Sequence, residues 1–166
     1  MTRIWKETGF VENDPWIVKT DEAEALEGER VLLSLDELVA LAESTNDVGM
    51  GVRLGPADDV MALEPYLYRL EIVALTFGAF SDGRGYSQAS LLRDRLGYRN
   101  ELRATGDVLI DQIPLMLRTG IDSFAVANEV ALKRLEEGRL PGIAEHYQPA
   151  AAPSQQVGGY SWRRRA

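Results

Sequence analysis

The chain has no cysteine, a single histidine and only three lysines among 166 residues. The first absence excludes the most. Without a sulfur nucleophile or ligand there is no disulfide, no thiolate zinc site, no cysteine-held iron–sulfur cluster and no thiol catalysis. A redox reaction on this chain therefore has to borrow its electron carrier, and no cofactor of its own is expected. With His146 alone, a transition-metal site would rest almost wholly on carboxylates, and a Ser-His-Asp triad would have to recruit a histidine from the terminal segment. No metal site is expected. No run approaches the ~18 consecutive apolar residues of a membrane helix, and the start, MTRIWKETGF, has no signal-peptide core, so a cytoplasmic protein off the membrane is expected. Positive charge is also scarce. The 26 acids outnumber the 18 Lys and Arg, and the resulting −8 argues against nucleic acid or an anionic membrane as partner.

What is present fits one domain with a sizeable core, since 45% of the residues are hydrophobic. The charge is unevenly placed. After Tyr147 the only charged residues are Arg163, Arg164 and Arg165, so the body is more acidic than the total. From Ser81 to Asp122, Asp82, Asp94, Glu101, Asp107, Asp111 and Asp122 are balanced by Arg84, Arg93, Arg95, Arg99, Arg103 and Arg118. Arginine's planar fork suits bidentate recognition of carboxylate, phosphate or sulfate. The simpler account is genomic base composition, since arginine outnumbers lysine 15 to 3 throughout the chain.

Residues 1–29 read as an N-terminal hairpin or flap, with short apolar segments at Ile4-Trp5 and Trp16–Val18 around turn-prone Glu7-Thr8-Gly9 and Asn13-Asp14-Pro15. Residues 30–147 read as repeated strand–helix units. Val31–Leu33 is a short strand, and Ser34 with Glu37 makes a capping box ahead of a helix. Met50–Leu54, Glu71–Phe77, Glu101–Thr105 and Ile121–Val126 are the later strands. The intervening helices run from about Asp59 to Leu70 with a break at Pro65, from Gln88 to Leu96 after an Ser87 cap, over Leu109–Arg118, and from Asn128 to Gly138. If Asp111 caps the third of these, Pro114 falls in its first turn. Residues 148–166 read as a flexible tail.

Five such units imply an α/β fold, a single domain with a mainly parallel sheet and right-handed crossovers. An open three-layer sheet suits the chain length better, with a partial (β/α) barrel as the alternative. In both, ligands belong at the carboxyl ends of the strands. One loop there, Ser81 to Ser87, has Gly83 and Gly85 for close backbone approach, with Arg84, Tyr86 and Ser87 beside them, and is a candidate anion cradle. It is neither a dinucleotide fingerprint nor a Walker loop. The others are Gly106-Asp107 through Asp111-Gln112, reached from Arg103, and Arg53 to Pro56. Asp82 and Asp107 are the candidate acid/base or arginine-orienting carboxylates, with bracing ion pairs as the competing account. Arg93 and Arg95 read as a solvated helix face.

The segments SDGRGYS (81–87), LRDRLGY (92–98), ELRATGDVLIDQ (101–112) and RTGIDSF (118–124) resemble a bacterial family of unknown function whose members are commonly labelled as oxidoreductases of sulfite reduction. Val52-Arg53-Leu54 and Asp58-Asp59 extend the resemblance over roughly residues 30–147. One departure is informative: Arg118-Thr119-Gly120 stands where many relatives have Arg-Cys-Gly, so thiol chemistry there is not essential.

The resemblance implies an accessory or anion-binding protein of assimilatory sulfite reduction, working with a haem-containing sulfite reductase and lacking an autonomous redox centre. A second reading is a small enzyme on an anionic metabolite, with Arg84 and Arg103 holding the anion and Asp82 or Asp107 moving a proton. A third makes the SDGRGYS loop a homo-oligomer or partner surface anchored by Tyr86 and the arginines.

Overall fold

The computed structural model describes residues 1–18, 30–44, 48–78 and 82–141. His146 and the 148–166 tail lie outside them, as does Ser81.

Local signals set the element starts. Ser34 N donates to the Glu37 carboxylate while Glu37 N donates to Ser34 Oγ, closing the capping box that opens α1 (Leu35–Ser44). The Asp59 carboxylate accepts from Met61 N and starts a 3₁₀ segment over Val60–Arg69, where Pro65 stays inside a run of tight turns instead of splitting a helix. Asn128 Oδ1 accepts from Ala131 N at 3.0 Å and starts α4 (Glu129–Glu136). Asn128→Ala is therefore expected to lower the unfolding free energy by about 1 kcal/mol. Urea titration reads this as a lower midpoint, and Asn128→Ser should hold the wild-type value.

Two helices start elsewhere than expected. The helix placed at Gln88–Leu96 begins at Arg84 as α2 (Arg84–Ser90), with Gly83, not Ser87, at the N-cap position and no side-chain cap bond, while Asp82 just before it accepts from Arg84 N. It continues as a π-helical turn over Leu91–Arg95. The next helix, α3 (Ile113–Arg118), starts after Gln112, one residue beyond the expected Asp111 cap, with Pro114 in its first turn. Arg93 also departs from expectation. Instead of facing solvent it donates to the carbonyls of Gly120, Tyr98 and Asn100 and to the Asp122 carboxylate, tying the π-turn to the start of the last strand.

The strands are β1 (Arg3–Lys6), β2 (Gly9–Val11), β3 (Trp16–Val18), β4 (Arg30–Leu33), β5 (Met50–Leu54), β6 (Leu70–Phe77), β7 (Glu101–Gly106) and β8 (Ser123–Val126). They form one sheet in the order β2-β1-β8-β7-β6-β5-β4-β3. From β3 to β8 every neighbour is parallel, whereas β1 pairs antiparallel with both β8 and β2. The sheet is thus mixed, not mainly parallel, because the N-terminal hairpin joins it through β1.

The open three-layer form is not what the chain adopts. Helices cover both faces only when strand order reverses at a switch point, and here it runs straight from β3 to β8. The connecting helices then share one face and the sheet curls into a half-barrel, the alternative architecture. Curling also follows from chain reach. Val11 ends β2 at one edge and Trp16 starts β3 at the other, and five residue steps span at most ~18 Å. Eight strands laid flat would separate those edges by roughly 33 Å. Residues 12–15 are therefore a strap drawn between the two edges of the sheet.

The convex face holds the main core, in which Val73, Leu75, Phe77, Leu102, Ala104 and Phe124 from the sheet pack with Leu38, Leu92, Met116 and Ala131. The concave face holds a smaller apolar group of Leu32, Ile72 and Ala74 under Trp16. Gly51 makes room for it: a Cβ there would stand 2.5 Å from the Trp16 ring. Among the described residues no helix is long and apolar enough to cross a membrane.

Candidate functional site

The sequence-predicted residues divide between two places, the rim at the carboxyl ends of β5–β7 and the concave face. At the rim, Asp82 and Arg84 form a closed pair. Asp82 Oδ1 accepts from Arg84 N at 3.1 Å and from Arg84 Nε at 2.9 Å, and Oδ2 accepts from Nη2 at 2.9 Å. Hydrogen bonds from the Arg84 side chain and backbone hold the Asp82 carboxyl below its ordinary range, and the same contact raises Arg84. Asp82 is thereby a weaker base than a free aspartate and a fixed support for the guanidinium.

The loop glycines have packing reasons of their own. Gly85 lies against Phe77, where a Cβ would stand 2.6 Å from the ring, and Tyr86 meets the same ring edge-on at 5.2 Å between centroids. Burial raises the Tyr86 hydroxyl, and the nearby Asp111 charge adds to it, so those two residues share the rim. Gly83 and Ser87 are exposed. Gly106 (φ +87°) closes the end of β7 against β6, with Asp107 N donating to Phe77 O at 2.8 Å and the Asp107 residue exposed. Gln112 is buried at the start of α3. Gln88, absent from the sequence candidates, joins α2 to the β5 loop by donating to Gly55 O and Asp58 O, while Asp58 itself accepts from Gly55 N.

Arg103 does not join this rim. It is 3% exposed and turns toward the start of its own strand on the concave face. Its Nη1 and Nη2 donate to the two Asp14 oxygens at 2.6 and 2.7 Å, and Nη2 and Nε reach Glu101 Oε1 at 2.6 and 3.1 Å. Ser123 Oγ donates to Glu101 Oε1 at 2.7 Å, and Lys6 Nζ donates to Glu101 Oε2 at 2.7 Å. Burial pushes Glu101 up, yet the bonds from Lys6 and Ser123 and the Arg103 charge outweigh it and leave the carboxyl below its ordinary range. Burial likewise opposes the Arg103 charge and is outweighed by Asp14 and Glu101. Arg53 lies on the same face, exposed and without an ion pair among the described residues.

The four-residue set Asp82, Arg84, Arg103 and Asp107 is thus not assembled around one opening. Asp14, Glu101, Lys6 and Ser123 were not among the sequence candidates. Glu101-x-Arg103-x-Thr105 does carry a signal, since polar residues at every second strand position mark a polar face. Lys6 and Asp14 carried none, being far away in sequence. Among the described residues no group of three or more His, Asp or Glu side chains is placed to hold a metal ion.

Fold and site together define a curled half-barrel α/β protein with a braced arginine at its rim and an ion-pair network across its concave face. Residues 51–157 match the model of a family described as bacterial protein of unknown function (DUF934), and the chain belongs to that family. This agrees with the bacterial family of unknown function to which the motifs pointed. No curated protein and no solved structure matches the chain.

Proposed function

We propose that the protein is an anion-binding accessory of assimilatory sulfite reduction that serves a haem-containing reductase and has no autonomous redox centre. The sulfur-assimilation part rests on the motif resemblance at residues 81–124. The observation that carries anion binding is the rim pair: Arg84 is 62% exposed on its side chain, whereas the Asp82 beneath it is 17% exposed. A guanidinium fixed by one bidentate carboxylate keeps its remaining N–H donors for an incoming oxyanion with little further loss of rotamer freedom. With Asp82 held ionised and Arg103 turned inward, orienting Arg84 suits Asp82 better than proton transfer does.

Calorimetric titration of the full chain with sulfite tests the binding. Arg84→Met is expected to weaken it at least tenfold with the thermal midpoint nearly unchanged, because the side chain is exposed. Equal binding by wild type and variant would remove the rim site. The cellular part is tested by deleting the gene in a host supplied with sulfate as sole sulfur source: slowed growth is expected, and normal growth with normal sulfite turnover would sink it.

A further inference from the structure

The concave face holds a charged network that the rim reading does not use. Arg103 already has one carboxylate partner on its own strand, Glu101, which Lys6 and Ser123 also bind. Asp14 is a second carboxylate, brought from outside the strands by the strap and seated across both terminal nitrogens of the guanidinium. That is the geometry in which an arginine receives a free carboxylate, phosphate or sulfate.

Three features make this a ligand's place as well as a brace. First, the strap over it is thin. Glu12, Asn13 and Pro15 are exposed, and the segment is held by Asp14 and by Arg30 N donating to Pro15 O. Second, a further cation waits beside it. Arg53 and Arg103 are both in register with Ala74, so they flank one small residue on the same face, about 10 Å apart between strand axes. Two arginine side chains at that separation can converge on one small ion. Third, the charges decide what that ion is. With Asp14 in place, Lys6 and Arg103 cancel Asp14 and Glu101, and Arg53 is left over. With Asp14 withdrawn, three cations face one carboxylate, a surplus of two charges.

We propose that the concave face is a second anion site, for a small dianionic oxyanion, which the chain's own Asp14 carboxylate occupies until such a ligand displaces it. Asp14 acts as a tethered competitor. A short tether gives an effective concentration on the order of millimolar, so the wild-type site opens only to an ion that is abundant or bound by more than Asp14 can offer. Arg53 supplies that extra contact. The site stands independently of Arg84.

The test is calorimetric titration with inorganic sulfate, and separately with acetate, at constant ionic strength set by chloride. Asp14→Asn is expected to bind sulfate at least tenfold more tightly than wild type and to favour it over acetate. Asp14→Asn combined with Arg53→Met is expected to lose that gain, and Asp14→Asn combined with Arg84→Met to keep it, which separates this site from the rim. Sulfate binding by Asp14→Asn no tighter than by wild type, or a gain indifferent to Arg53→Met, would overturn the proposal. If Asp14→Asn does not fold in chloride, recovery of a cooperative thermal transition on adding sulfate supports the site, and failure to recover overturns it.

Discussion

Arg103→Met is expected to lower the unfolding free energy by about 3–5 kcal/mol at neutral pH, because it strands two carboxylates that a buried guanidinium now neutralises. Lys6 and Ser123 still reach Glu101, but among the described residues Asp14 pairs with no second cation. A loss of that size is a large part of the ~5–15 kcal/mol by which a domain is stable. The pH dependence identifies the cause. In the wild type Glu101 sits below its ordinary value, so its contribution is present above the unfolded carboxyl pKa of ~4.3 and is lost as pH falls through the folded value. Without Arg103, burial is less opposed and moves the Glu101 carboxyl upward, so protonation then relieves the variant. The gap between variant and wild type should therefore narrow as pH falls from 7 toward 4. Urea unfolding at both ends of that range measures it, and a pH-independent gap would mean that lost packing, not stranded charge, is responsible.

The second large effect is expected at the joint between β6 and β7. Gly106 has φ +87°, and a Cβ there would lie 2.3 Å from Phe77 O, a backbone atom that also accepts the Asp107 N–H. Gly106→Ala cannot be relieved by a rotamer change, so the two strand ends must part, at about 3 kcal/mol or more. Gly138 separates the two causes. It also has positive φ, +67°, but open space where the Cβ would go. Gly138→Ala should therefore cost only ~1 kcal/mol, the conformational share alone. Thermal unfolding of both variants measures the difference, and equal losses would refute the close-approach argument.

The repeating strands and helices were legible because each carries its own short-range signal. The Ser34–Glu37 capping box, the Asn128 cap and the apolar run of β6 need no knowledge of the rest of the chain. Strand order was not legible, since straight and reversed orders put the same alternation into the sequence, and only the pairing of β1 with β8 shows the sheet to be mixed. The site divided the same way. Asp82 and Arg84 are two residues apart and meet as neighbours do, whereas Arg103 finds its partner 89 residues away at Asp14. Gly85 carries a second reason that the sequence does not show: it reads as part of an anion cradle, and in space it is also a packing allowance against Phe77.

The pairing of the first strand with the last sets an order of assembly on a chain made from its N-terminus. Strands β3 to β8 can add one at a time, each beside the one just completed. The hairpin of β1 and β2 has to wait, because the edge on which Trp5 meets Phe124 exists only after β8 has left the ribosome. The Lys6–Glu101 and Asp14–Arg103 pairs close with it. Until then Arg103 is uncovered on a nascent sheet, and β1, β2 and the strap that carries Asp14 wait for β8 before they find their place.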